Sequence, residues 1–550
     1  MKPFALSFVL FSLCFAHSPL SAQSGKTDPA SDVPRLVVGI VVDQMRNDYI
    51  YRYWSRYGTG GFKRLVNEGY YFRNAHYNYI PTYTGPGHSS IYTGAPPRAH
   101  GIIANDWYVK ETSALTYCTQ DSTVKPVGSE SRNGRMSPRN QLSSTIGDEL
   151  KMSSAQRAKV FAVSMKDRSS IFPAGHAANG AFWFDDATGN FISSTWYMQD
   201  LPAWLKQFNA KQPAKTFLEK GWQTLYPLST YSASLPDQNR YEAAPGNVDP
   251  VFPYEYSKQI MNGKWGILKS TPAGNTLTKD LALACLIHEA MGKGPGTDLL
   301  CVSFSCTDYV GHYFGPRAIE TEDVYLRLDK DLEDLLNTLD KTLGKGNYSV
   351  FLTADHGGAD VPNHLLDHKI PAGYIREPFL EQETRAFFKK HYNDSSLLLN
   401  VSNEQFFLNE EKIRSRGLDL PSLEEHLCAF LRTLPGIAEA YGSFTLRNTS
   451  YEGSDIRALL QNGYHHRRSG HVAIVYQPGW MDNGPTGTTH GSAYNYDTHI
   501  PLIFYGKGIK KGESFRRVAV TQIAPTVCEL IRINQPNAAT GEPLNGFFKD

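Results

Sequence analysis

Four apolar runs constrain this chain more than any other feature. Leu36–Val42 runs straight into Asp43, and Leu299–Cys306 ends at Thr307-Asp308, with His312 four residues beyond Asp308. Tyr348–Ala354 ends at Asp355-His356, and Val160–Met165 delivers Lys166 and Arg168. Short, continuous, β-rich apolar runs read as strands buried on both faces, the pattern of a parallel sheet covered by helices. In an open α/β sheet the carboxyl ends of parallel strands share one edge, and ligands bind there. The expected fold is therefore α/β, a mostly parallel central sheet flanked by helices. Asp, His, Lys and Arg residues far apart in sequence should meet at one rim. They offer ligands for a pair of divalent cations and positive charge for a phosphoryl group.

Bulk charge adds no competing explanation. Formal net charge is +1 over 550 residues, with 41% apolar and 20% charged residues. No overall field draws such a chain to a nucleic-acid polymer or an anionic membrane. Affinity for phosphate must be local.

The N-terminus reads as a targeting segment. Lys2 supplies a short positive region, Phe4–Ala16 an apolar stretch too short to span a bilayer, and Ser21-Ala22 a small-residue cleavage point. Residues 1–22 are read as a signal peptide and 23–34 as a polar tether. A periplasmic or secreted protein without a membrane anchor is expected. The six later cysteines are widely spaced, which fits neither a zinc ribbon nor a dense disulfide scaffold; one or two disulfides are compatible with export.

Residues 35–376 read as a catalytic core with insertions. Val324, Leu328, Leu332, Leu335 and Leu339 keep the spacing of an amphipathic helix, placed between two strands as a crossover requires. Stretches 110–145 and 175–275 lack long helical periodicity and read as insertions over the sheet edge. Residues 377–462 are charged and read as an inserted cap. The core is expected to resume in 463–550, first through Gly470–Tyr476.

Asp355-His356 precedes Gly357-Gly358, so the strand ends in time for both side chains to reach one ion. Asp308 and His312 stand at i, i+4. His490 lies in a Gly/Thr-rich loop. Carboxylate plus imidazole suits zinc, although manganese and iron accept the same donors. Thr84, in Pro-Thr-Tyr-Thr-Gly-Pro-Gly-His, is either a helix cap or a nucleophile beside helix-terminal N–H groups. Lys166 and Arg168, at i, i+2, would point the same way in extended chain. His88, His364, His368, His465, His466 and His499 are ligands by type, but the plainer reading is structural or solvent-facing. Trp107, Trp183 and Trp196 read as packing.

These residues occur in the order and spacing of the alkaline phosphatase superfamily. The stretches VVDQMRNDYIYRYWSRYG, PTYTGPGH, NDWY, SMKDRSSIFPAGH, GAFWFDD, CTDYVGHYFGP and YDTHIPLIF resemble the phosphate-irrepressible, PafA-type alkaline phosphatases. The resemblance runs from about Arg35 to Pro543 and is weakest over 375–465. It implies two zinc ions per chain, one held by Asp43, Thr84, Asp355 and His356 and the other by Asp308, His312 and His490. It also implies that Asn105, Lys166 and Arg168 contact the non-bridging phosphoryl oxygens. The expected activity is hydrolysis of phosphate monoesters of small metabolites through a phosphothreonine on Thr84, by a monomer. The alternatives are a phosphodiesterase or nucleotide pyrophosphatase on the same fold, and an exported metal- or phosphate-binding protein without turnover.

Overall fold

The computed structural model describes residues 32–246 and 248–549. The expected signal peptide and nearly all of the tether lie outside them. Among the described residues no helix is long and apolar enough to cross a membrane.

The four apolar runs become four adjacent parallel strands. In spatial order they are Tyr348–Thr353, Leu36–Val42, Asp298–Phe304 and Val160–Ser164. Every residue of all four is buried. Register aligns their carboxyl ends: Val41 pairs with Thr353, Val42 with Phe304, and Ser164 with Ser303. Asp43, Asp355, Asp308 and Lys166 therefore leave the sheet on the same rim.

The sheet extends to 11 strands and is mixed at its flanks. His499–Gly506 runs antiparallel to Tyr348–Thr353, and Tyr70–His76 antiparallel to it in turn. On the other side Gly180–Asp185 adds in parallel and Asn190–Ser194 antiparallel. These last two fall in a stretch expected to be insertion. Their alternation is masked by aromatic residues on both faces, so the run lacks the period of a half-exposed strand. The helix expected around Val324–Leu339 spans Ile319–Leu343, with its leucines buried.

Helix Thr84–Thr93 lies across the sheet with all ten residues buried. Tyr92 donates its hydroxyl to the Gly39 carbonyl at 3.3 Å. A side chain at Gly39 would collide with that hydroxyl and with the Phe351 ring. The absent Cβ thus sets how closely the helix seats on the central strand.

The expected cap contains helices Glu377–Tyr392 and Leu420–Leu431 over a four-stranded antiparallel sheet. Its strand order is Leu398–Ser402, Gln405–Leu408, Val472–Tyr476, Ile437–Gly442. The expectation that the core resumes through Gly470–Tyr476 does not hold, because that strand completes the small sheet. A five-residue apolar run specifies a buried strand but not which sheet receives it. The six described cysteines are buried free thiols, with no disulfide among them.

Gly39→Val should cost about 1–3 kcal/mol through overpacking, with Gly39→Ala milder. Chemical denaturation of both variants checks this. Wild-type stability in Gly39→Val would mean that the helix is not seated on this strand.

Candidate functional site

Burial is the first property of the rim. Asp43, Asp355 and His356 are fully buried, and Thr84, Asp308 and Lys166 are at most 2% exposed. A carboxylate removed from water must find cations or hydrogen-bond donors. The Lys166 ammonium donates to Asp43 Oδ2 at 2.7 Å and to Asp308 Oδ2 at 2.6 Å. Gln44 donates its side-chain amide to Asp308 at 2.7 Å and its backbone N–H to Asp355 at 3.2 Å. To do both, Gln44 takes a left-handed backbone with φ of 60°, a conformation costly outside glycine. Even so, Asp43 Oδ1 and Asp355 Oδ2 are buried with no hydrogen-bond partner.

Three imidazoles face these carboxylates in the same way. His356, His312 and His490 each use Nδ1 on a backbone carbonyl, those of Gly357, Thr488 and Thr82, at 2.8, 2.8 and 2.7 Å. A proton held there leaves each Nε2 lone pair free, the tautomer a metal-ligating histidine needs. Those nitrogens converge. His312 Nε2 lies 3.1 Å from Asp308 Oδ1, His490 Nε2 3.6 Å from the same oxygen, and His356 Nε2 3.4 Å from Asp43 Oδ1. Asp308, His312 and His490 can share one ion, as can Asp43, Asp308 and His356, with donor atoms within 4.8 Å of one another in each group. Orphaned carboxylate oxygens and prepared imidazoles are what a pair of divalent cations requires, so the residues present fit the metals.

Burial pushes Asp43 up to about 6 against the pull of Lys166. Burial, and then the charge of Asp43, raises Asp355 well above the usual carboxylate range. Burial opposes ionisation of Asp308 too, but His312 and Lys166 outweigh it and hold that carboxyl well below its ordinary value. Two of the three imidazoles are held neutral: burial drops His356 to about 3, and burial with the neighbouring His356 keeps His490 low. Burial opposes charge on His312 as well, but the Asp308 carboxylate outweighs it and raises His312 above its ordinary value.

Thr84 occupies the first turn of its helix, where Tyr83 is the capping position and caps with no side chain. The capping role open to Thr84 from sequence is thus excluded, and its hydroxyl is left to the site, 3.4 Å from His356 Nε2. Gly87 permits the approach: a Cβ there would lie 2.5 Å from the Asp355 carbonyl oxygen and 2.8 Å from its Cβ. Asn105 accepts the Gly85 N–H at 2.8 Å, which places its amide beside the helix N-terminus.

Lys166 and Arg168 are not in extended chain. Lys166 is the capping residue of helix Asp167–Ala174, and Arg168 lies in its first turn. Their placement is set by helix entry and not by strand alternation. Arg168 donates to the Tyr117 hydroxyl at 2.9 Å, while its buried Nε has no partner and remains an available donor. Lys166, which the resemblance assigns to the phosphoryl oxygens, is here bonded to Asp43 and Asp308. Two buried carboxylates need a counter-charge, and its ammonium is the nearest.

Gln44, His88 and Tyr117 were not singled out as parts of the site from sequence. His88 is fully buried; its Nδ1 lies 2.9 Å from the Thr84 carbonyl, and its Nε2 lies 2.8 Å from the Ser303 hydroxyl, fastening the Thr84 turn to the sheet. Its position four residues after Thr84 on a helix was the available signal. His499, by contrast, bonds the Arg73 carbonyl and stacks on His76, a structural role.

Residues 37–497 match the family model described as type I phosphodiesterase / nucleotide pyrophosphatase. Alkaline phosphatase PafA of Elizabethkingia meningoseptica is 44% identical over 538 residues, 97% of this chain and 98% of that protein. Alkaline phosphatase PhoV of Synechococcus elongatus is 43% identical over 526 residues, 94% and 93% of the respective chains. The crystal structure of wild-type PafA matches with a TM-score of 0.90 at 43% identity, over 93% of this chain and 98% of that one.

Chelation should lower the thermal midpoint, and added zinc should restore it, because ligand-bound native protein is stabilised by mass action. Scanning calorimetry with and without chelator reads the effect. An unchanged midpoint would mean that the buried carboxylates are satisfied without divalent cations.

Proposed function

This chain belongs to the type I phosphodiesterase / nucleotide pyrophosphatase family, within the alkaline phosphatase superfamily, and we propose that it is an exported two-zinc alkaline phosphatase acting on phosphate monoesters of small metabolites. The observation that carries this reading is the convergence of Thr84, at a helix N-terminus, with two sets of carboxylate and imidazole donors. The N-terminal segment, with its positive residue, apolar stretch and small-residue cleavage point, supports export.

Asp43, Asp355, His356 and the Thr84 oxygen would hold one zinc, and Asp308, His312 and His490 the other. When bound, the pair supplies Lewis-acid stabilisation of charge on the attacking and leaving oxygens. The protein's own residues position the reaction. The Thr84 oxygen, fixed by the first helical turn and by His88 behind it, attacks phosphorus in line. A phosphorus–oxygen bond to Thr84 forms as the bond to the alcohol breaks. Water then hydrolyses the phosphothreonine, freeing Thr84 and inorganic phosphate. Asn105, its carbonyl occupied by Gly85, turns its NH2 toward a non-bridging oxygen. Arg168 offers its free Nε, oriented by Tyr117. Lys166 bridges Asp43 and Asp308, and its ammonium would be available to the same oxygens once zinc answered those acids. Such catalysis is mostly placement and charge stabilisation.

The family description favours a second reading, a phosphodiesterase or nucleotide pyrophosphatase. The charge at the site supports the monoester reading. A monoester dianion has more negative charge on its non-bridging oxygens than a diester, and two cations suit it.

Thr84→Ala should abolish covalent phosphorylation and nearly all turnover while metal content by elemental analysis stays near two zinc per chain. Acid trapping with substrate and peptide mass spectrometry should find phosphate on Thr84 in the wild type. Phosphate on Ser89 or Ser90 would assign the nucleophile elsewhere.

Replacing Lys166 and Arg168 together should lower monoester kcat/KM steeply and diester kcat/KM little. A charge-assisted contact contributes about 1.5–3 kcal/mol, roughly ten- to a hundredfold in rate. A monoester and a diester with the same leaving group are compared on wild type and double variant. An equal fall for both would mean that the pair supports the fold or the metal-ligand acids, and would remove the charge argument for a monoesterase over a diesterase.

A further inference from the structure

Beside the metal-ligand rim lies a cavity of roughly 520 Å³ that reaches from Tyr83 and His490 into the small sheet. Its charge is one-sided. Asp106, Glu377, Glu404, Asp482 and Asp497 line it and no lysine or arginine does, although Arg376 pairs with Asp482 from outside the cavity at 3.1 Å. Its walls are also aromatic, with Tyr83, Tyr476, Tyr496 and Trp480 among the lining residues. Both the core and the small sheet contribute, so the cavity exists only where the two meet.

Two buried polar atoms on this wall lack partners. Asp497 is 1% exposed, and while its Oδ2 accepts the Ser492 N–H at 2.8 Å, its Oδ1 has none. The Tyr476 hydroxyl, on a residue 7% exposed, has none either. It lies among the acids: burial first, then the charges of Glu404, Asp482 and Glu377, hold its phenol well above the ordinary range. Glu404 shows the same strain from the other side. Its carboxylate accepts the Tyr83 hydroxyl at 3.0 and 2.9 Å. Burial, and then Glu377, push it up to about 8. A cation in the cavity would relieve each of these groups, and aromatic faces attract a weakly hydrated one.

The position relative to the reaction is specific. Tyr83 precedes Thr84 and donates to Glu404, and His490, a metal donor across from Thr84, lines the same cavity, so an alcohol displaced from phosphorus opposite Thr84 would face it. We propose that this cavity is the leaving-group subsite and that it selects phosphate monoesters whose alcohol carries an amine or quaternary ammonium. The inference rests on the phosphomonoesterase reading for its substrate. The cavity itself can be tested without turnover.

Phosphocholine and 3,3-dimethylbutyl phosphate have the same shape and differ in one positive charge. Their kcat/KM ratio is measured on wild type, Glu404→Gln and Glu377→Gln, substitutions that keep the hydrogen-bond acceptor. The ratio should fall about tenfold in Glu404→Gln, the loss of one charge-assisted contact. Glu377→Gln should lower it in the same direction and serves if the first variant fails to fold. A constant ratio, with both esters slowed equally, overturns the proposal and leaves Glu404 as a prop for Tyr83. Calorimetric titration with choline, and with 3,3-dimethylbutanol as the neutral control, reads the subsite alone. Choline binding that weakens about tenfold in the variants supports the subsite even if neither ester is hydrolysed, an outcome that would instead overturn the phosphomonoesterase reading. Choline binding that is absent, or equal in all three proteins, overturns the subsite.

Discussion

Three carboxylates, those of Asp43, Asp308 and Asp355, are buried side by side at the carboxyl edge of a parallel sheet, and much of the molecule answers to that charge. Removing an ionised group from water costs several kcal/mol even after relaxation. The protein meets part of the cost with the ammonium of Lys166 and the amide of Gln44. It leaves the remainder, two carboxylate oxygens without donors, facing prepared imidazole lone pairs. A site so arranged is poised for cations and unfavourable without them. The strained backbone of Gln44 is part of the same arrangement, since both of its hydrogen bonds to the acids depend on it.

Positioning follows from rigid elements. Four strands in register deliver the three acids and Lys166. Helix Thr84–Thr93 delivers the hydroxyl, held against the sheet by Gly39, Gly87 and His88. Helix Asp167–Ala174 carries Arg168 in its first turn. Flexible loops contribute less than the Gly/Thr-rich sequence around His490 suggests, because His490 and Thr488 are each tied by hydrogen bonds. The small sheet stands apart from this machinery yet borders it through the acidic, aromatic cavity. The core thus concentrates buried charge at its rim, and the small sheet supplies the wall beside it.

Much of the core and of the donor set was legible in the chain. A buried parallel strand must be apolar on both faces, so Leu36–Val42, Leu299–Cys306, Tyr348–Ala354 and Val160–Met165 stand out from their surroundings. The candidate metal donors follow because carboxylate and imidazole suit divalent cations, and Asp43, Asp355, His356, Asp308 and His312 follow these strands closely. Less was legible where one local pattern admits several tertiary answers. Val472–Tyr476 is a strand by composition, but its partners are Gln405–Leu408 and Ile437–Gly442 and not the central sheet. Lys166 and Arg168 come together through a helix start, which an i, i+2 spacing alone cannot distinguish from a strand.

By itself, then, the sequence determined the central apolar strands, their burial, and the carboxylate and imidazole residues at their ends. These are consequences of local composition and of donor chemistry. The tertiary structure alone decided strand order and register, the left-handed turn of Gln44, the tautomers set by the Gly357, Thr488 and Thr82 carbonyls, and the closure of the small sheet over an acidic cavity. Each of these depends on which distant groups become neighbours, and hydrogen bonds between residues hundreds of positions apart leave no periodic trace along the chain.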